Sequence, residues 1–210
     1  MLLIAVGLIS CGETATENGN TNTADTTATN QTDLTTNGEG DDIMEDPAEA
    51  QLAQLEALNQ WKRFLDAHDG ELSVEKLEYG CDHWGGNVTY THDGESLRVI
   101  SVLNAAEHGH SLDKYYFDEN DALVMILFEN GSWIGDRDEI TQTLYYISNN
   151  APFYATRKSV EGPTKEIETI LAAAEMQEIE ADLKGFDSIV SKISDYKGLN
   201  AENIEAFFCD

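Results

Sequence analysis

Tyr115-Tyr116-Phe117-Asp118-Glu119-Asn120-Asp121-Ala122-Leu123 and Tyr145-Tyr146-Ile147-Ser148-Asn149-Asn150-Ala151-Pro152-Phe153 follow one pattern. Each has two tyrosines, an apolar residue, a polar turn with Asn at the same offset, and an apolar residue that reopens a strand. Aromatic and β-branched residues suit a pleated surface, and a short Asn-bearing turn between two such runs is a hairpin signal. The chain therefore carries an internal repeat of β-hairpins. Adjacent tyrosines in a strand point to opposite faces. The expectation is that one of each pair packs in the core. The other either packs across strands or lines a recognition surface with Trp84 or Trp133.

Outward from the repeat, residues 87–158 hold nearly all the sequence with strand period. Val88 and Tyr90 alternate with polar residues, and Asp93-Gly94 marks a turn. Leu97–Leu103 has apolar residues on both parities, and a third strand is read near Leu112–Phe117. Leu123–Phe128 is apolar throughout, the mark of a central strand covered on both faces. Ile140–Ser148 and Pro152–Lys158 complete six strands, with Pro152 suited to a strand start or an edge.

Helical period flanks the sheet. Asp46-Pro47-Ala48-Glu49 offers a capping acid and proline in the first turn, and Leu52, Leu55, Leu58, Trp61 and Leu65 then recur on one stripe. That stripe is expected to face the core, and the helix to end near His68-Asp69-Gly70. Glu71–Tyr79 fits a helix or a loop. Beyond Gly162-Pro163, a stripe of Ile167, Ile170, Leu171 and Ala174 continues through Met176, Ile179 and Leu183. It breaks at Gly185, resumes from Phe186 to Ile193 and ends at Gly198, with one more short turn or helix over Asn203–Phe208. The expected fold class is α+β: an antiparallel six-stranded meander sheet flanked by an N-terminal helix and C-terminal helices. Helices on one face only would leave the other face to a dimer partner or a ligand.

The amino terminus is organised differently. Met1–Ile9 is an apolar run of signal-peptide length, too short to span a bilayer, which takes about 20 residues. From Gly12 to Asp46 the chain has ten threonines, nine acidic residues and no Lys or Arg. Such a segment buries too little apolar surface to offset its ordering entropy and reads as a tether. The division is a signal peptide over 1–10, a disordered acidic tether that opens on Cys11 over 11–46, and a single α+β domain over 47–210.

Twelve basic residues stand against forty acidic ones, a formal net charge of −28. Nucleic-acid binding through phosphates needs clustered Lys and Arg, so that class is excluded. The charge otherwise describes a solvated surface, or attraction to a basic partner or to cations.

Candidate chemistry is sparse. With Cys11 set aside, Cys81 and Cys209 remain, and a bridge between them would close a loop of well over a hundred residues. In the chain-entropy model that is worth roughly 4–5 kcal/mol; the alternative is two free thiols. Cys81, His83, His108 and His110 have metal-ligand side chains, with His92 in a neighbouring loop, but no second paired motif at zinc spacing accompanies them. The acids at Asp118, Glu119 and Asp121, and at Asp136, Asp138 and Glu139, offer oxygens for Ca²⁺ yet fit turns equally well. No nucleophile elbow, phosphate-cradling loop or His-Glu-x-x-His helix is present, no catalytic residue is assigned, and no cofactor is implied.

Leu8-Ile9-Ser10-Cys11-Gly12 resembles the lipobox of bacterial lipoproteins, although no Lys or Arg precedes the apolar run. The resemblance implies cleavage before Cys11, a diacylglyceryl thioether on its sulfur and acylation of the new amino terminus. Gly12 after the lipidated Cys implies the outer membrane or cell surface. The full layout resembles envelope lipoproteins of Gram-negative bacteria, and the Tyr-Tyr hairpins are similar to the aromatic hairpins of MORN-like and immunity-type meander proteins. These resemblances imply a membrane-anchored, non-enzymatic binding protein whose partner is an envelope macromolecule, a basic one matching its charge. The alternatives are a divalent-metal or small-ligand binding protein, and a hydrolase without a recognisable motif.

Overall fold

The computed structural model describes residues 46–210, apart from Asp69 and the side chain of Ile134. The signal segment, Cys11 and the tether as far as residue 45 lie outside the described residues. No helix among the described residues is long and apolar enough to cross a membrane.

The domain is α+β, built on one antiparallel sheet with helices before and after it in sequence. In order it runs α1 (Pro47–Ala67), β1 (Ser73–Gly80), β2 (Trp84–Asp93), β3 (Ser96–Ala106), β4 (Gly109–Phe117), β5 (Leu123–Ile134), β6 (Arg137–Ser148) and β7 (Ala151–Pro163). After β7 come α2 (Ile167–Ala173), β8 (Gln177–Ile179), α3 (Phe186–Lys197) and α4 (Ile204–Cys209). The sheet has eight strands in sequence order, not six. Both additions are edges. Ser73–Gly80 pairs along its whole length with Gly85–His92 of β2, yet Ser73–Lys76 are all exposed, so it shows little apolar alternation. Gln177–Ile179 pairs with Ala155–Arg157 of β7 and cuts short the helical stripe, so α2 ends at Ala173.

Turn chemistry fixes the meander. Gly94 (φ 62°) and Gly135 (φ 70°) open the β2–β3 and β5–β6 turns, and Asn149 (φ 52°) and Asn150 (φ 57°) form the two-residue β6–β7 turn. Asn tolerates this left-handed region because its short side chain can bond locally. In the β4–β5 loop the Asp118 carboxylate accepts from the amides of Asn120 and Ala122, at 2.8 and 2.9 Å. The repeat goes deeper than its residues. Register shifts fall between Tyr116 and Phe117 in one copy and between Tyr146 and Ile147 in the other, which is the same offset.

Both faces of the sheet are covered. On one, Tyr79, Ile100, Tyr115, Ile126 and Tyr145 pack under Ile193 and Tyr196 of α3 and Ile204 of α4. On the other, Val99, Tyr116, Met125, Leu144 and Tyr146 pack under Leu65 of α1, with Leu58 and Trp61 beside them. The α1 side also carries α2, whose Ile167 and Leu171 close over Ile140 and Val160. So both tyrosines of each pair are core residues, on opposite sides. α1 and α2 cover one face of the sheet, and α3 and α4 cover the other.

Candidate functional site

The side chains expected to carry chemistry are distributed, not assembled. Cys81 and Cys209 form a disulfide, which removes the Cys81 thiolate from ligand or nucleophile duty and ties the end of α4 to the β1–β2 turn. Around it Phe208 stacks on Tyr79 with ring centroids 4.1 Å apart, and Trp84 meets both rings edge-on. Trp84 is thus spent on packing. His83 is exposed in the β1–β2 turn and His108 in the β3–β4 turn. Among the described residues no group of three or more His, Cys, Asp or Glu side chains is placed to hold a metal ion, so His83, His108 and His110 do not converge.

His110 instead has a local role on the α1 side of the sheet. Its Nε2 lies 2.8 Å from Glu129 Oε1, and Gln142 Nε2 donates to Glu129 Oε2 at 2.5 Å. The imidazole rests on the backbone of β5 at Gly131, where a Cβ would come within 2.2 Å of the ring. Trp133 stacks against it at 6.0 Å and donates its indole N–H to the Glu107 carbonyl. Every member of this network is satisfied, which is how a half-buried polar cluster is held at low cost.

Displaced pKa values follow burial. Burial pushes the Tyr79 and Tyr90 hydroxyls up to about 12, and raises Tyr115 and Tyr116 further. Burial also raises the Asp113 carboxyl, against the lowering influence of the Tyr115 hydroxyl, 3.3 Å away, and of Lys192. Tyr79, Tyr90 and Tyr115 belong to the core under α3, where Tyr115 donates to Asp113 and Tyr90 to the Tyr196 carbonyl, while Tyr116 belongs to the core under α1.

A different place in the molecule has unengaged polar groups. On the α1 side, Thr91, Val99 and Tyr116 form one cross-strand row and Thr89, Ser101 and Lys114 the next. The last turn of α1, with Leu65 and Asp66, walls this patch and makes it a cleft of about 310 Å³. Sequence reading passed over it because three of its polar residues look like ordinary outward positions of half-buried strands. The signal available was the alternation Thr89-x-Thr91 opposite Ser101, with Lys114 amid apolar neighbours.

Compared with known proteins, the chain matches no family model, no curated protein and no solved structure.

Proposed function

We propose that this chain is a lipid-anchored, non-enzymatic binding protein of the bacterial cell envelope, and that its folded domain binds through the cleft between α1 and strands β2–β4. The anchor is Cys11, on the strength of Leu8-Ile9-Ser10-Cys11-Gly12, and the Thr-rich acidic stretch is its tether. Outer membrane or cell surface is the address this reading gives.

The observation that carries the binding reading is the state of the cleft's polar groups. Glu129 and Tyr146 engage their half-buried polar groups, the Tyr146 hydroxyl donating to Asn59 at 2.7 Å, while Arg98 Nε and Thr156 Oγ1, away from the cleft, are buried without a hydrogen-bond partner. In the cleft the Tyr116 hydroxyl is buried with no partner. None of the ion pairs among the described residues uses Lys114. Unpaired donors gathered in a concave place are what a binding site for a polar ligand requires. A macromolecular partner was expected to use an open aromatic sheet face, and the tyrosines that would form it are covered by helices.

The test is cross-linking capture in intact cells with the lipidated protein as bait, beside Cys11→Ala and a tether-only chain. Lipid on Cys11, together with cross-linked envelope material that depends on the folded domain, is the expected result. A protein that carries no lipid and fractionates away from membranes sinks the anchored reading.

A further inference from the structure

We infer that the cleft between the last turn of α1 and strands β2–β4 binds a small hydroxylated carboxylate, a hexuronate-sized sugar acid, with its carboxylate on Lys114. This rests on the reading of the cleft as the binding site.

Charge selects an anion. The chain has few cations, and most that approach a carboxylate are used: Lys62 holds Asp66 at 2.6 Å and Lys76 holds Glu78 at 2.6 Å. Glu129 lies diagonally from Lys114 across β4 and β5, since Lys114 pairs with Leu127. Both its oxygens are taken, one by His110 and one by Gln142. The carboxylates nearest the cleft are thereby occupied and the Lys114 ammonium is not. The lining holds one acid, Asp66, which Lys62 holds, and one cation, Lys114, which no carboxylate among the described residues holds. Distant acids matter little there, because charges separated by more than about 8 Å are largely screened at physiological ionic strength.

The wall selects which anion. Asp66 lies in the last turn of α1, next to the terminal residue Ala67. A helix carries partial negative charge at that end. A compact, multiply charged group such as phosphate meets one ammonium and a repulsive helix end. A single carboxylate needs only the ammonium.

Lining and volume select the rest of the ligand. Thr89, Thr91 and Ser101 present hydroxyls, each able to donate and accept, at adjacent cross-strand positions. Thr89 already donates to Asn87 Oδ1 at 3.2 Å and keeps its acceptor capacity. Val99 and Leu65 supply apolar wall against which the C–H face of a sugar ring fits. Tyr116, 1% exposed, lies at the base of the same cleft, its hydroxyl buried and unpartnered. A volume of about 310 Å³ lies at the small end of ligand sites, the size of one ring and not of a chain.

The acid could arrive free or as the end of an envelope polysaccharide, and the two are separated by the probe. The full-length chain is titrated calorimetrically with glucuronate, glucose, inorganic phosphate and a short oligoglucuronate, as wild type, Lys114→Met and Lys114→Arg. Glucuronate is expected to bind at about 1 mM, with glucose about tenfold weaker. Lys114→Met should lose about tenfold for glucuronate and nothing for glucose, and Lys114→Arg should keep most of the affinity. An oligomer that outbinds the monomer points to a polysaccharide end; equal affinity points to the free acid. Glucuronate that fails to bind at about 20 mM overturns the inference, as does phosphate binding as well as glucuronate, or Lys114→Met binding glucuronate like wild type. Those outcomes leave lipidation at Cys11 standing, and an unlipidated Cys11 leaves this titration untouched.

Discussion

Tyr115 and Tyr116 are consecutive in sequence and buried in different cores, the first under Tyr196 of α3, the second under Leu65 of α1. Their hydroxyls have opposite fates. Tyr115 donates to Asp113, whereas the Tyr116 hydroxyl has no partner among the described residues. Removing each oxygen should therefore give changes of opposite sign. Tyr115→Phe should cost about 1 kcal/mol, and Tyr116→Phe should be neutral or stabilising by up to about 1 kcal/mol, since no bond is lost and a desolvated hydroxyl is removed. Urea unfolding midpoints of the two variants decide it, and equal destabilisation by both would contradict the assignment.

The Cys81–Cys209 bridge spans a sequence separation of 128. Its loss should cost about 2–5 kcal/mol. Cys81→Ser with Cys209→Ser should unfold at lower urea than the oxidised chain and should ignore added reductant, while the oxidised chain falls to the same midpoint when reduced. Reductant that leaves the oxidised chain's midpoint unchanged would show the bridge to be energetically idle.

Gly131 gives the His110 imidazole its resting place, with a Cβ excluded at 2.2 Å. Gly131→Ala should push the ring off Glu129 and cost about 1–3 kcal/mol. In His110→Ala the same glycine substitution should cost much less, and the double-mutant cycle reads the coupling directly. Additive costs would mean that the backbone of β5, and not the ring, sets the requirement for glycine.

The Asp113 carboxyl and the buried tyrosines are all raised by burial, so their contributions have one sign. A group raised in the folded state gives stability that is complete below its unfolded pKa and lost as pH climbs through the folded value. Asp113 places one loss above its unfolded value of about 3.9; Tyr79 and Tyr90 place another between about 10 and about 12. Asp113→Asn should flatten the first loss, raising the melting temperature at neutral pH relative to wild type and leaving it unchanged at about pH 3. Tyrosinate absorbance should appear later than in free tyrosine and then rise together with unfolding. A wild type and Asp113→Asn pair with parallel pH profiles would count against the first half.

Much of this fold was legible because local chemistry and tertiary structure agree. The Tyr-Tyr hairpins, the Asp93-Gly94 turn and the proline-led α1 each form where propensity and period put them. The edges were hidden for a common reason. Six of the eight residues of β1 are exposed, so its side chains lack the contrast between buried and open positions that marks a strand. β8 is three residues long and its Ile179 falls in phase with the preceding helix stripe. Which helix covers which face was also out of reach, because hydrophobic period gives an element's inner side but not the layer it joins. The cleft was hidden for the related reason that its hydroxyls become a site only when α1 lies down beside them. Cys81, Cys209, His83, His108 and His110 were nameable from residue type alone. That Cys81 and Cys209 are joined, and that His110 serves Glu129, depends on distances that no spacing rule contains.

The stacking of Phe208 on Tyr79 sets an order of events. Each strand of the meander finds its neighbours within a short length of chain, so the sheet can zip together as residues emerge, from β1 toward β8. The core on the α3 side cannot close in that way. Its first strand waits for Phe208 and for the thiol of Cys209, which are made after everything between them. Tyr79, Val88 and Tyr90 thus depend for their cover on the end of the chain. The first strand of the sheet and the last helix are joined across everything between them, by a stacked pair of rings and a covalent bond.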